Sequence, residues 1–111
     1  MPATGPATGG APATARQYVL RRLKTGTTYR LREGQKLVLG RGKDCNLRLE
    51  GDNNISRHHA SVVVQAGQAK VADLGSSNGT LVNSQRLAPK TAVRAPLPCR
   101  FSLGTEEFVV E

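Results

Sequence analysis

Tryptophan is absent from this 111-residue sequence, and aromatic side chains make up only 4% of it. Proteins that bind single-stranded nucleic acid stack bases on aromatic rings, and such platforms are scarce here. Long apolar runs are also missing, since no stretch approaches the roughly 20 residues that a membrane-spanning helix needs. The composition therefore disfavours a base-stacking protein, and no membrane partner is expected.

Cysteine is scarce as well. Cys45 and Cys99 are the two cysteines, and their separation matches no metal-ligand or disulfide-scaffold spacing. The start of the chain lacks both the basic residues and the continuous apolar run of a secretory signal. Two reduced, partly buried thiols in an intracellular protein are the expectation.

Acidic residues are outnumbered two to one. Eight Asp and Glu face sixteen Lys and Arg, which leaves a formal charge of +8. Part of the excess lies in the basic run from Arg21 to Lys36. A charge of this sign favours anionic partners, which include nucleic acid and acidic or phosphorylated protein segments, but it does not choose among them.

The chain divides into a tail and one domain. Residues 1–15 carry no charge and consist mostly of Pro, Ala, Thr and Gly. Such a segment buries too little apolar surface to offset its ordering entropy, so residues 1–15 are predicted to be disordered. Residues 16–111 are long enough for one modest core.

Short β-rich segments alternate with turn sequences along the domain. Turn signals such as Glu33-Gly34 and Ala66-Gly67 lie between the segments, which follow one another at a spacing close to ten residues, and no long window keeps a helical period. This spacing predicts an all-β sandwich or barrel. The nine predicted strands are Tyr18–Leu23, Thr28–Leu31, Lys36–Leu39, Leu47–Leu49, Ala60–Val64, Ala69–Ala72, Thr80–Val82, Arg100–Leu103 and Phe108–Val110.

Three polar loops carry the candidate site: Gly40–Asn46, Glu50–Arg57 and Leu74–Gly79. A phosphate monoester brings a charge near −2 and three acceptor oxygens, so its site needs a guanidinium, hydroxyls and free N–H groups. If the loops meet at one end of a sandwich, they supply that set. Its members are Arg41, Ser56, Arg57, Ser77 and Asn78, with Gly40 and Gly79 allowing close backbone approach.

The order and spacing of these motifs resemble the forkhead-associated (FHA) family. The match consists of Gly40-Arg41, then Ser56-Arg57-His58-His59, then the Asn78-Gly79-Thr80 loop. The resemblance implies a sandwich of two twisted sheets with about eleven strands, the binding loops at one end, and phosphothreonine-peptide binding without catalysis or cofactor. It is strongest from Leu37 to Leu87.

The resemblance also implies a role for each matching residue. Arg41 and Ser56 would bond the phosphate, with Arg57 adding contacts and Ser77 reaching a phosphate oxygen. Asn78 would hold the peptide backbone beside the phosphothreonine. The remaining matches would order the loops: Gly40, His59, Gly79 and Thr80. FHA domains prefer phosphothreonine to phosphoserine because the methyl group enters a small pocket, and they commonly read the third residue after it.

A finer resemblance concerns the subfamily. The stretch from Gly40 to Arg57, with Cys45 between them, is similar to nibrin-type amino-terminal FHA domains. That likeness implies a nuclear protein of DNA-damage signalling whose partners are acidic phosphorylated segments. An FHA module of an unrelated signalling protein is an alternative.

Other functions have less support from the residues. The segment around Gly40 fails the phosphate-loop pattern of nucleotide-binding enzymes at Leu37 and at Asp44. His58 and His59 have no third metal ligand nearby in sequence, so no metal is expected. Direct nucleic-acid binding by the basic run remains the rival from another class, because phosphate contacts alone give non-specific affinity.

Overall fold

The computed structural model describes residues 17–50 and 53–111, which form eleven β-strands and no helix. The predicted disorder of residues 1–15 therefore lies outside the described residues. No helix in these two ranges could span a bilayer. The strands are β1 (Gln17–Arg22), β2 (Thr28–Arg32), β3 (Lys36–Gly40), β4 (Leu47–Arg48), β5 (Ala60–Gln65), β6 (Gln68–Asp73), β7 (Thr80–Val82), β8 (Gln85–Arg86), β9 (Ala92–Pro96), β10 (Cys99–Leu103) and β11 (Glu106–Val110).

The strands pair into two sheets. One has five strands in the order β9-β6-β5-β3-β4, and the other has six in the order β2-β1-β11-β10-β7-β8. All neighbours are antiparallel except β3 and β4, where Leu39 pairs with Leu47 and Gly40 with Arg48. The predicted all-β sandwich of about eleven strands is confirmed.

The core lies between the sheets because alternate strand residues face inward. On β10 and β11 the paired Phe101 and Phe108 stack with ring centroids 5.2 Å apart and an interplanar angle of 17°. Each fully buried side chain of this size contributes about 1.5–3 kcal/mol relative to exposure. From the five-stranded sheet, the fully buried core residues are Leu39, Ala60, Val62, Val64, Ala69 and Val71.

Two strands were missed by sequence reasoning. Gln85–Arg86 follows a tight turn in which Asn83 and Ser84 have φ of 49° and 71°, and two polar residues carry no strand pattern. No strand was predicted between Val82 and Arg100, but Ala92–Pro96 is the edge strand β9. An edge position tolerates proline because one side of the strand donates no ladder bond.

Strand direction brings the three polar loops to one end. Strands β3 and β4 are parallel, and β5 is antiparallel to both β3 and β6, so β3, β4 and β6 point the same way. Their carboxyl-terminal ends therefore lie at the same end of the five-stranded sheet. The segments that follow them, at 41–46, 49–50, 53–59 and 74–79, therefore lie at the same end of the sandwich.

Candidate functional site

Gly40 lets the first two loops touch. A Cβ atom on Gly40 would lie 2.2 Å from the carbonyl oxygen of Arg57, so no larger residue fits without moving the backbone. This close approach allows the N–H of Arg41 to donate to the Ser56 carbonyl at 3.1 Å and that of Gly42 to the Arg57 carbonyl at 2.9 Å. The backbones of the first and second loops, which carry the candidate phosphate-binding residues, are therefore hydrogen-bonded to each other.

The Arg41 side chain is exposed but held in place. Its Nε donates to the carbonyl of Ile55, while its two terminal nitrogens bond to none of residues 17–50 and 53–111. A guanidinium fixed through Nε presents its remaining donors as a fork, the geometry that suits a phosphate. Arg57 is also exposed, and its side chain lies against Gly42.

His59 connects the second loop to the third and is fully buried. Its Nδ1 accepts the N–H of Ser56 at 3.0 Å, and its Nε2 lies 2.7 Å from the Gly79 carbonyl. Because Nδ1 accepts and a carbonyl cannot donate, the proton is on Nε2. The neighbouring His58 is exposed instead, with Nε2 2.8 Å from Asp44 Oδ2.

The Ser56 hydroxyl lies where the second and third loops meet. Its Oγ accepts the N–H of Ser77 at 3.0 Å, so its own proton remains free to be donated outward. Ser77 itself is exposed. Asn78 is exposed beside it and donates from Nδ2 to the carbonyl of Asn54 at 2.9 Å, which leaves Oδ1 as an acceptor.

Asp73 organises the third loop, a role that sequence reasoning missed. Its buried carboxylate accepts the N–H groups of Gly75 at 2.9 Å and Ser76 at 3.1 Å, together with the hydroxyls of Ser76 and Thr80. The Asp-x-Gly-Ser sequence is the available signal, since an aspartate commonly accepts the N–H two residues on. Gly79, with φ of 86°, completes the turn by donating to Ser76 Oγ.

This network lowers the pKa of Asp73. Burial alone would raise the pKa, but the hydrogen bonds from Ser76, Thr80 and Gly75 favour the ionised form more strongly. A carboxyl whose pKa is lower in the folded state stabilises the fold above its unfolded value, near 3.9. That contribution is lost as the pH falls through the lower, folded pKa.

We therefore expect Asp73→Asn to reduce the free energy of unfolding at pH 7. An amide has a single acceptor oxygen, and its NH2 group would face the N–H and O–H groups that now donate to the carboxylate. The deficit relative to wild type should shrink as the pH falls below about 4, where the wild-type carboxyl becomes protonated. Urea unfolding at several pH values between neutral and acid measures this difference. A difference in unfolding free energy that stays constant with pH would contradict the assignment of Asp73 as an ionised carboxylate.

Cationic side chains around the loops were also missed. Arg86 lies against Gly79, where a Cβ would be 2.7 Å from its Nε, and Lys90 covers Gly75 in the same way, with a Cβ-to-Cε distance of 3.2 Å. Lys43 and Arg48 line a cleft beside Arg41. Nothing in the sequence pattern marks these residues, because their positions follow from how the loops fold.

Known proteins with similar sequences contain FHA domains. Residues 37–104, more than half of the chain, match the FHA domain family. The FHA domain-containing protein FhaA of Mycobacterium tuberculosis is 45% identical over 60 residues, which cover 54% of this chain and 11% of FhaA. FhaB of the same species is 35% identical over 80 residues, covering 72% of this chain and 49% of FhaB.

The chain thus spans less than half the length of these two relatives. A solved FHA domain, from a structural and functional analysis of phosphothreonine-dependent FHA domain interactions, is 35% identical to it. The two superpose with a TM-score of 0.71 over 86% of this chain and 96% of the other. Together with the loop motifs and the two-sheet sandwich, these matches show that the chain belongs to the FHA domain family.

Proposed function

We propose that this domain binds a phosphothreonine-containing segment of a partner protein and catalyses no reaction. The hydrogen bond from the Ser77 N–H to Ser56 Oγ carries the proposal, because it places a hydroxyl of the second loop against the third loop. The first loop joins them through the Arg41 N–H and the Ser56 carbonyl. One rigid surface thereby presents a guanidinium, hydroxyls and an amide.

Each group has a chemical task in that binding. The fork of Arg41 would bond two phosphate oxygens, and the Ser56 hydroxyl would donate to one of them. Ser77 would offer a second hydroxyl, and Arg57 a second positive charge. Asn78, with Oδ1 free and Nδ2 directed by Asn54, would hold the peptide backbone next to the phosphothreonine. The loop-ordering residues keep these groups in place: Gly40, His59, Gly79 and Thr80.

The partner is expected to be an acidic protein segment. The net charge of +8 attracts acidic peptides at long range and raises the association rate. Phosphothreonine as the bound residue is supported by the similar solved FHA domain, whose interactions were studied as phosphothreonine-dependent. The DNA-damage context, the nuclear location and the nibrin-type subfamily stay predictions, since FhaA and FhaB are described only as FHA domain-containing proteins.

A peptide titration tests the proposal. Ser56→Ala should weaken binding of a phosphothreonine peptide about ten- to a hundredfold, because one hydrogen bond to a charged group contributes about 1.5–3 kcal/mol. Ser102→Ala on β10 is the matched control, since its hydroxyl forms no hydrogen bond with the rest of the described chain. Fluorescence anisotropy would measure both variants. Equal affinity of wild type for the phosphorylated and dephosphorylated peptide would overturn the proposal.

Direct nucleic-acid binding is less well supported by the basic run. Arg21 pairs with Glu111 at 2.9 Å, Arg22 with the buried Glu106 at 2.6 Å, and Lys24 lies 3.9 Å from Glu106. Half of the cations in this run are thus partly neutralised within the domain. A salt series separates the alternatives, since duplex affinity falls steeply with the number of ions released and peptide affinity falls more gently.

A further inference from the structure

A cleft of about 540 Å³ opens directly beside the phosphothreonine site. It lies between the first loop, strand β4 and the segment that follows Ser56. Arg41 and Arg57 belong to both the cleft and the proposed site, so the two are continuous. The residues that line the cleft are Arg41, Gly42, Lys43, Asp44, Arg48, Arg57 and His58.

The lining carries a large excess of positive charge. Lys43 and Arg57 form no ion pair with any residue of 17–50 or 53–111. Arg48 has only a long contact of 3.7 Å to the exposed Glu50, a type of pair that contributes little. Asp44 is the single acidic residue of the lining, and its carboxylate oxygens lie 2.8 and 2.9 Å from His58 Nε2. Most of the positive charge is therefore uncompensated.

The walls of the cleft are fixed before any ligand arrives. The Arg57 carbonyl accepts from the Gly42 N–H at 2.9 Å and from Cys45 Sγ at 3.1 Å. Arg48 Nε donates to the Arg41 carbonyl at 3.2 Å, and the terminal nitrogens of Arg48 form no hydrogen bond within residues 17–50 and 53–111. The Arg48 side chain, held through Nε, therefore loses less conformational entropy when an anion binds.

A metal ion is the competing occupant. Asp44, Cys45 and His58 offer a carboxylate, a thiol and an imidazole within 4.8 Å of one another, a grouping that the sequence did not reveal. Burial raises the pKa of the Cys45 thiol, which disfavours the thiolate that a metal needs. The guanidinium and ammonium groups of the lining also repel a cation. The charge of the cleft selects an anion.

We propose that this cleft is a second anion subsite, which binds a carboxylate or a second phosphate of the same phosphothreonine peptide. The proposal rests on the proposed function, because phosphothreonine would anchor the peptide at Arg41. Lys43 and Arg48 hold the second anion, and Arg57 lies between the two groups. Since extended chains advance about 3.3 Å per residue, the second anion lies within a few residues of the phosphothreonine. The preferred ligand is a phosphothreonine segment with a nearby acidic or phosphorylated residue.

Affinity ratios test the subsite. A phosphothreonine peptide with neutral flanks is compared with peptides that carry one glutamate, or one phosphoserine, at each flanking position in turn. Wild type should bind one such peptide about tenfold more tightly than the neutral one at constant ionic strength. In Lys43→Ala and in the double variant with Arg48→Ala, the ratio of the two affinities should fall towards one. Matched losses of charge on the outer face of the five-stranded sheet, Lys70→Ala and Arg94→Ala, should leave the ratio as it is.

Each outcome has a separate meaning. A gain with glutamate shows that a carboxylate occupies the subsite, and a gain with phosphoserine alone shows that a doubly phosphorylated segment does. If no flanking anion strengthens binding, or if the outer-face variants lose the gain equally, the subsite is wrong while phosphothreonine binding stands. If the neutral phosphothreonine peptide fails to bind wild type, the proposed function fails instead. Because the Lys43 side chain forms no described hydrogen bond, its variant should fold and keep the test decisive.

Discussion

Replacing Arg41 with alanine is expected to weaken phosphothreonine-peptide binding by about ten- to a hundredfold while the domain remains folded. The loss corresponds to about 1.5–3 kcal/mol, the contribution of a hydrogen bond to a charged group such as the phosphate. The Arg41 side chain is exposed and its only described bond is to the Ile55 carbonyl, so little of the core depends on it. Isothermal titration calorimetry measures the affinity, and thermal unfolding checks the fold.

Two further variants separate geometry from charge. Arg41→Lys keeps the charge but carries all its donors on one nitrogen and lacks the planar fork of arginine, so we expect it to bind more weakly than wild type and more tightly than alanine. Arg30→Ala removes the same charge from the edge strand β2 of the other sheet, where the side chain is exposed. If Arg30→Ala weakens binding as much as Arg41→Ala, net charge and not the assigned site determines affinity.

The sequence predicted the sandwich because short β-rich runs alternate with turn signals along the domain. Tyr18 and Leu20 of β1 and Phe108 and Val110 of β11 lie in such runs, and all four are buried. The same reasoning missed β8 and β9. Gln85–Arg86 is polar and exposed, and every residue of β9 except Ala95 is exposed, so neither strand shows an alternating pattern. Pairing with a neighbour, rather than periodicity, makes them strands.

The motifs predicted candidate site residues but not the contacts between their loops. The first and second loops meet through the backbone bonds at Gly40. The second and third meet through the Ser77 N–H bond to Ser56 Oγ and the Asn78 bond to the Asn54 carbonyl. Asp73 and Lys43 went unnoticed for a different reason. The Asp-x-Gly-Ser sequence at Asp73 indicates a turn but not the burial of its carboxylate, and nothing in the sequence distinguishes Lys43 from other lysines in turns.

Replacing His59 with alanine is expected to destabilise the domain by about 3–5 kcal/mol, since two buried polar groups lose their partners and a cavity remains. The groups left unpaired are the Ser56 N–H and the Gly79 carbonyl, which belong to different loops. Such a loss is a large fraction of the usual stability of a small domain. Urea unfolding followed by far-ultraviolet circular dichroism measures it.

His58→Ala supplies the matched comparison, because the adjacent histidine is exposed and, among the described residues, its side chain bonds only to the exposed Asp44. Its unfolding midpoint should differ little from that of wild type. Where His59→Ala can be studied folded, at low temperature and without urea, its phosphothreonine affinity should also fall, since Ser56 is no longer tied to the Gly79 turn. Equal midpoints for the two histidine variants would mean that the His59 bridge does not hold the loops together. In that case the order of the binding surface would come from Asp73, the close approach at Gly40 and the bonds that Ser77 and Asn78 make to the second loop.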